Sequence, residues 1–300
     1  MLCSTRRERH GERMTALDPP YAELPARGPA APVVVSSPHS GVFCPPGVAR
    51  LLRATAEELR LLEDGPLDRL AAAATGAGAV ALCATYARAF VDLNRDPAEL
   101  DPDLVDGPPP AAGLVASVRA RAGLGVVPSR LGTSPIWRRP LRAEEVAERL
   151  EAGWWPYHRR LAALCVERCR RFGQVVLLDL HSMPTEVTLA RGRRPLDVAI
   201  GDYHGRACAP ALVALVEATL AEAGLLSARN VPYAGGYITE TYGRPREGVH
   251  ALQLELRRSL FMDEASGTPT AGLAALESLV RDLVGRLAVA LRPPLLHAAE

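Results

Sequence analysis

No apolar stretch in the 300-residue chain approaches the roughly 20 residues that span a bilayer, and its charged first residues lack the apolar core of a signal segment. A membrane protein is therefore not expected, and a cytoplasmic one is. Charge of one sign is not in excess either. With 35 Lys+Arg against 34 Asp+Glu, no whole-molecule field draws the chain to nucleic acid or an anionic membrane. The six cysteines include no CxxC pair, and the closest two, Cys165 and Cys169, sit four apart in a helical pattern as small residues of one helix face. That spacing argues against a zinc knuckle and against a disulfide framework. Cys44 is a weaker nucleophile candidate, because no third group is visibly placed to orient a Cys–His pair. Neither an internal repeat nor a convincing linker divides the chain, so one domain over 29–300 is expected behind an irregular leader, 1–28.

What is present is enough apolar material, 48% of residues, for a sizeable core. Apolar runs predict strands over 32–37, 79–84, 89–93, 174–180, 196–201 and 249–256. Helical periodicity marks 55–74, interrupted at Gly65-Pro66, then 143–172 with a break at Trp155-Pro156, 208–223 and 270–291. This alternation predicts an α/β fold, a mostly parallel sheet covered by helices. The proline-rich stretch 96–114 excludes regular structure and reads as a long surface loop.

Two of the strand-type runs deliver histidines to a sheet end, at Pro38-His39-Ser40-Gly41 and Asp179-Leu180-His181-Ser182. Neutral imidazoles in such places are metal ligands or buried rings bonded to the backbone. A catalytic zinc takes three protein ligands, so a carboxylate would complete the set, and Glu63-Asp64 is the nearest acidic pair. Asp179 shares a strand face with His181 and is a candidate to orient it. The string Asp92-Leu93-Asn94-Arg95, with Arg88 before it, offers donors for a substrate carboxylate and a carbonyl, or an ion pair with Asp92 or Asp96. Glu255 lies in an otherwise apolar strand and is either the partner of Arg257 or Arg258 or a working base. Gly235-Gly236-Tyr237-Ile238-Thr239 reads as a turn before a strand, with Gly236 and Thr239 as candidate substrate contacts. Arg191-Gly192-Arg193-Arg194 reads as a solvated loop.

These strings, together with Gly201-Asp202-Tyr203-His204-Gly205 and Gln253-Leu254-Glu255 through Met262-Asp263-Glu264, resemble the N-formylglutamate amidohydrolases over nearly all of 32–265. The resemblance implies a zinc-carboxypeptidase-like (phosphorylase/hydrolase-like) fold and kinship with the aspartoacylase group. It also implies one bound Zn2+, a role in histidine degradation, and cleavage of N-formyl-L-glutamate to formate and the free amino acid, or of a close N-acyl amino acid. Carried over residue by residue, it makes His181 a metal ligand beside the candidate His39, while the third ligand must come from elsewhere, with Asp64 favoured over Glu63. Glu255 becomes the base, Arg88 the carbonyl polariser and Asn94-Arg95 the carboxylate anchor. The wider group's His-x-x-Glu is missing here, since Ser40-Gly41-Val42 follows His39. Rival readings are another deacylase or carboxypeptidase-like hydrolase, and a metal-free binder of amino-acid ligands; a homo-oligomer is left open.

Overall fold

The computed structural model describes residues 19–108, 111, 113–188 and 194–291. Its centre is a seven-stranded sheet built from β1 (Tyr21–Leu24), β2 (Val33–Ser37), β3 (Val80–Ala84), β4 (Val175–Met183), β5 (Val198–Gly201), β6 (Ser227–Arg229) and β7 (Val249–Arg257), in the order β1-β3-β2-β4-β7-β5-β6. The β3-β2-β4-β7 core is parallel, whereas β1 on β3 and β5 on β7 run antiparallel. Strands buried on both faces read as continuous apolar runs, as Val175-Val176-Leu177-Leu178 does.

Helices cover both faces. On one side α1 (Leu67–Thr75), α4 (Pro210–Glu222) and α6 (Gly272–Ala290) pack on Val176, Leu178, Leu252 and Leu254; on the other, Tyr157, Leu161 and Leu164 of α3 (Trp155–Phe172) cover Val34, Leu177 and Ala251. The second face carries the chemistry. Its apolar lining stops where β2, β4 and β7 reach their carboxyl ends, and Ser36, Asp179, His181, Gln253 and Glu255 take its place.

Four sequence expectations are corrected. Residues 1–18 of the expected leader lie outside the described residues, as do Arg191, Gly192 and Arg193, but Tyr21–Leu24 forms an edge strand on β3. Residues 89–93 turn rather than extend, tied by Phe90 N–H to Ala87 O. The long helix does not break at Trp155-Pro156. A π-helical turn over Leu150–Trp154 joins α2 (Ala143–Arg149) to α3, so the proline, which lacks an N–H, falls at the start of α3 where no donor is needed. Finally, Tyr237–Tyr242 is not a strand but a short helix, α5, whose first turn is held by Asn94 Oδ1 accepting from Ile238 N–H.

Candidate active site

Parallel pairing of β4 with β7 puts His181 opposite Glu255 and Asp179 opposite Gln253, and β2 sets Ser36 beside Asp179. The polar ends of three neighbouring strands thus converge at the edge where α/β sheets bind ligands. His39 follows β2 by two residues, and the loop before α1 brings Asp64 across.

His39, Asp64 and His181 are buried and form a group able to hold a metal ion, their ligand atoms all within 4.8 Å of one another. The Nδ1 atoms of the two histidines face each other at 3.2 Å, and Asp64 Oδ2 lies 3.2 Å from the first and 2.9 Å from the second. Each ring has a second carboxylate behind it. His39 Nε2 is 2.8 Å from Asp92 Oδ1, and His181 Nε2 is 2.8 Å from Asp179 Oδ2. With both Nε2–H groups donating to these carboxylates, two Nδ1 lone pairs and an Asp64 oxygen point at one another, an arrangement that needs a cation or a proton between them. The residues therefore fit a divalent metal. Burial by itself lowers the His181 pKa, but Asp179 and Asp64 outweigh it and hold the ring well above its ordinary value. Burial likewise works to raise Asp64, yet with a proton rather than a metal between the groups, hydrogen bonding to His181 and His39 keeps its carboxyl below the usual range. Asp179 is braced further by Ser36 Oγ, which donates to it at 2.7 Å and lies 3.0 Å from the Tyr157 hydroxyl. Glu63 is not part of this cluster; its backbone carbonyl accepts from Arg258 at 2.6 Å.

The cluster opens into a chamber of about 420 Å³ that Arg88, Arg95, Arg258 and Glu255 also line. Glu255 pairs with neither candidate arginine. Arg257 reaches Asp197 at 2.6 Å, Arg258 reaches Ser182 and the Glu63 carbonyl, and the partner of Glu255 Oε1 is Gln253 Nε2 at 2.8 Å. Burial pushes the Glu255 carboxyl up to about 8, against the pull of His181 and Arg88. Arg88 donates from Nε to Asp92 Oδ2 at 2.8 Å, so the ion pair weighed from sequence forms, and the guanidinium still lines the chamber. Asp92 joins His39 to this arginine and also accepts from Asn94 N–H.

Of the carboxylate-anchor pair, Arg95 lines the chamber with Nε on Leu124 O, while the Asn94 carboxamide is engaged by the protein. Its Oδ1 takes Ile238 N–H, and its Nδ2 lies 3.0 Å from His181 Nε2 and donates to Gln253 Oε1 at 3.3 Å. Asn94 is a strut between α5 and the sheet. Gly236 serves that strut, because a Cβ there would meet Asn94 Nδ2 at 2.3 Å. Thr239 is fully buried and does not line the chamber, since helix α5 turns it inward. Cys44 is pushed up to about 11 by burial, against its use as a nucleophile. Sequence reasoning did not place Asp92 behind His39. The Asp-x-Asn-Arg string was visible, but its partner 53 residues away was not.

The N-formylglutamate amidohydrolase family model matches residues 31–262. N-formylglutamate deformylase of Pseudomonas aeruginosa is 35% identical over 263 residues, covering 85% of this chain and 91% of that protein. The Pseudomonas putida deformylase is 33% identical over 240 residues, covering 78% and 82%. The crystal structure of N-formylglutamate amidohydrolase from Ralstonia eutropha superposes with a TM-score of 0.85 at 35% identity, over 91% of this chain and 98% of that one. A gene product of Agrobacterium tumefaciens shares the fold at 20% identity, with a TM-score of 0.63 over 90% of this chain and 95% of its own. The chain belongs to the N-formylglutamate amidohydrolase family, hydrolases acting on an amide bond.

Proposed function

We propose that the protein is a zinc-dependent deformylase that cleaves N-formyl-L-glutamate to formate and L-glutamate. The observation that carries this reading is the convergence of His39 Nδ1, His181 Nδ1 and Asp64 Oδ2 beside a buried carboxyl, Glu255, that forms no ion pair among the described residues. Two imidazoles and a carboxylate are the donor set of a catalytic zinc with a position left open. When bound, the metal supplies Lewis acidity, activating water and polarising the formyl carbonyl.

The chain's own groups do the rest. Glu255 takes the proton of the attacking water, and Gln253 fixes the carboxylate by donating to Oε1. A base with a pKa near neutrality both accepts the proton and returns it to the leaving amine. Arg88, held by Asp92, faces the charge that develops on the formyl oxygen. Arg95 grips a substrate carboxylate from the wall of the chamber. Hydrolysis of N-formyl, N-acetyl and peptide substrates, each with and without a chelator, tests the reading. Chelator-sensitive release of formate from N-formylglutamate is expected. Turnover unaffected by metal removal would overturn the zinc assignment, preference for acetyl or peptide substrates would favour the rival hydrolases, and binding without turnover would favour the binder.

A further inference from the structure

The two histidines of the metal group are clamped in different ways. Behind His39, Asp92 takes a charged donor, Arg88 Nε at 2.8 Å, together with the Asn94 N–H. Behind His181, Asp179 hydrogen-bonds no arginine. Among the described residues its only hydrogen-bond partners are His181 Nε2, at Oδ2, and the Ser36 hydroxyl, at Oδ1. Ser36 in turn lies 3.0 Å from the hydroxyl of Tyr157, in the first turn of α3, which also donates to Leu82 O of β3 at 3.1 Å. Ser36, Asp179 and Tyr157 are fully buried, so no solvent replaces a donor that is taken away.

The direction of these bonds matters. A metal ion on His181 Nδ1 requires the ring proton at Nε2, and a proton there requires an acceptor. Two groups stand at Nε2, Asp179 Oδ2 at 2.8 Å and Asn94 Nδ2 at 3.0 Å. Asn94 is excluded as the acceptor, because its Oδ1 takes Ile238 N–H and its NH2 end, a donor only, is left toward the ring. Asp179 alone therefore fixes the ring, and it does so only while its own carboxylate is held. Of the two oxygens beside the Ser36 hydroxyl, the carboxylate is the stronger acceptor and, at 2.7 Å against 3.0 Å, the nearer. The Ser36 proton thus goes to Asp179, and Tyr157 donates toward Ser36 and Leu82 O.

We propose that Ser36 and Tyr157 are positioning residues for the metal centre, a neutral hydroxyl relay that locks Asp179 as the acceptor of His181 Nε2–H and so leaves the Nδ1 lone pair to the metal. Neither side chain touches metal or substrate; both act through Asp179. The inference rests on the metal reading of the site and adds the groups that set its affinity.

Titration of the zinc-loaded protein with a chromophoric chelator tests it, on wild type, Ser36→Ala, Tyr157→Phe and the double variant. Ser36→Ala should weaken zinc binding about 10- to 100-fold, as loss of a group orienting a ligand does. Tyr157→Phe should weaken it less, and the double variant no further than Ser36→Ala alone, because Tyr157 acts through Ser36. Melting of the metal-free proteins runs beside the titration, since a merely structural role would lower Tm and leave the zinc Kd where it was. An unchanged zinc Kd in either folded single variant, or additive losses in the pair, would overturn the proposal, and Tyr157→Phe, which keeps the ring, decides the matter should Ser36→Ala not fold. Wild type that takes up no zinc would sink the metal reading and this proposal with it, whereas zinc held equally by wild type and Ser36→Ala would sink the proposal alone.

Discussion

Replacing Glu255 by Gln should move stability and catalysis in opposite directions. In the metal-free protein burial raises this carboxyl from 4.5 to about 8. Below pH 4.5 folded and unfolded chains both hold the proton and the difference vanishes. Between 4.5 and 8 the unfolded chain has released its proton while the folded one keeps it, so stability falls as pH rises, by about 1.4 kcal/mol per unit. At pH 7 the accumulated cost is about 3 kcal/mol as an upper limit, since local rearrangement relieves part of it. Gln keeps the shape and carries no charge to bury. Chelator-treated Glu255→Gln should therefore melt above wild type at pH 7, by roughly 6 °C at about 2 °C per kcal/mol for a chain of this size, and the gain should disappear near pH 4. As a base, the same residue should cost kcat about two to four orders of magnitude when replaced, with zinc content unchanged. Thermal melts across pH, metal analysis and steady-state kinetics on this one variant separate the roles. A Gln variant with near-normal kcat refutes the base, one depleted of zinc makes Glu255 a ligand, and one with unchanged pH dependence of melting refutes the buried-charge argument.

His39→Ala and His181→Ala should each lose bound metal and turnover while keeping the fold, as metal analysis beside circular dichroism would show; full activity in a metal-free variant would refute the site. Arg95→Ala removes a charge-assisted contact of about 1.5–3 kcal/mol and should raise KM roughly 10- to 150-fold with little change in kcat, whereas an unchanged KM would make Arg95 purely structural. His158, between Leu93 O and the Tyr242 hydroxyl, is pushed down by burial from 6.5 to about 4. Its contribution is complete above pH 6.5 and is lost as pH falls to 4, by about 3 kcal/mol at most, so urea melts of His158→Gln should show a shallower acid decline than wild type.

Much of the frame was legible because its causes are local. Strand period, apolar runs and helix ends lie within a few residues of one another, so β2, β4, β7 and the helices α4 and α6 could be read directly. Asp179 and His181, two apart on one strand, had to share a face, and Glu255 stood out as a charge in an apolar strand. Tertiary structure decided what no local pattern encodes. Which acidic residue meets the histidines depends on a loop that carries Asp64 to His181, 117 residues away, and leaves Glu63 lining a different cavity. Parallel register alone sets Glu255 beside His181. Edge strand β1 exists only because β3 offers an unpaired edge, and helix α5, too short to be stable by itself, is held by the Asn94 carboxamide. Periodicity is written in neighbours, whereas convergence of ligands, bases and charges is written in the packing that brings distant segments to one sheet edge.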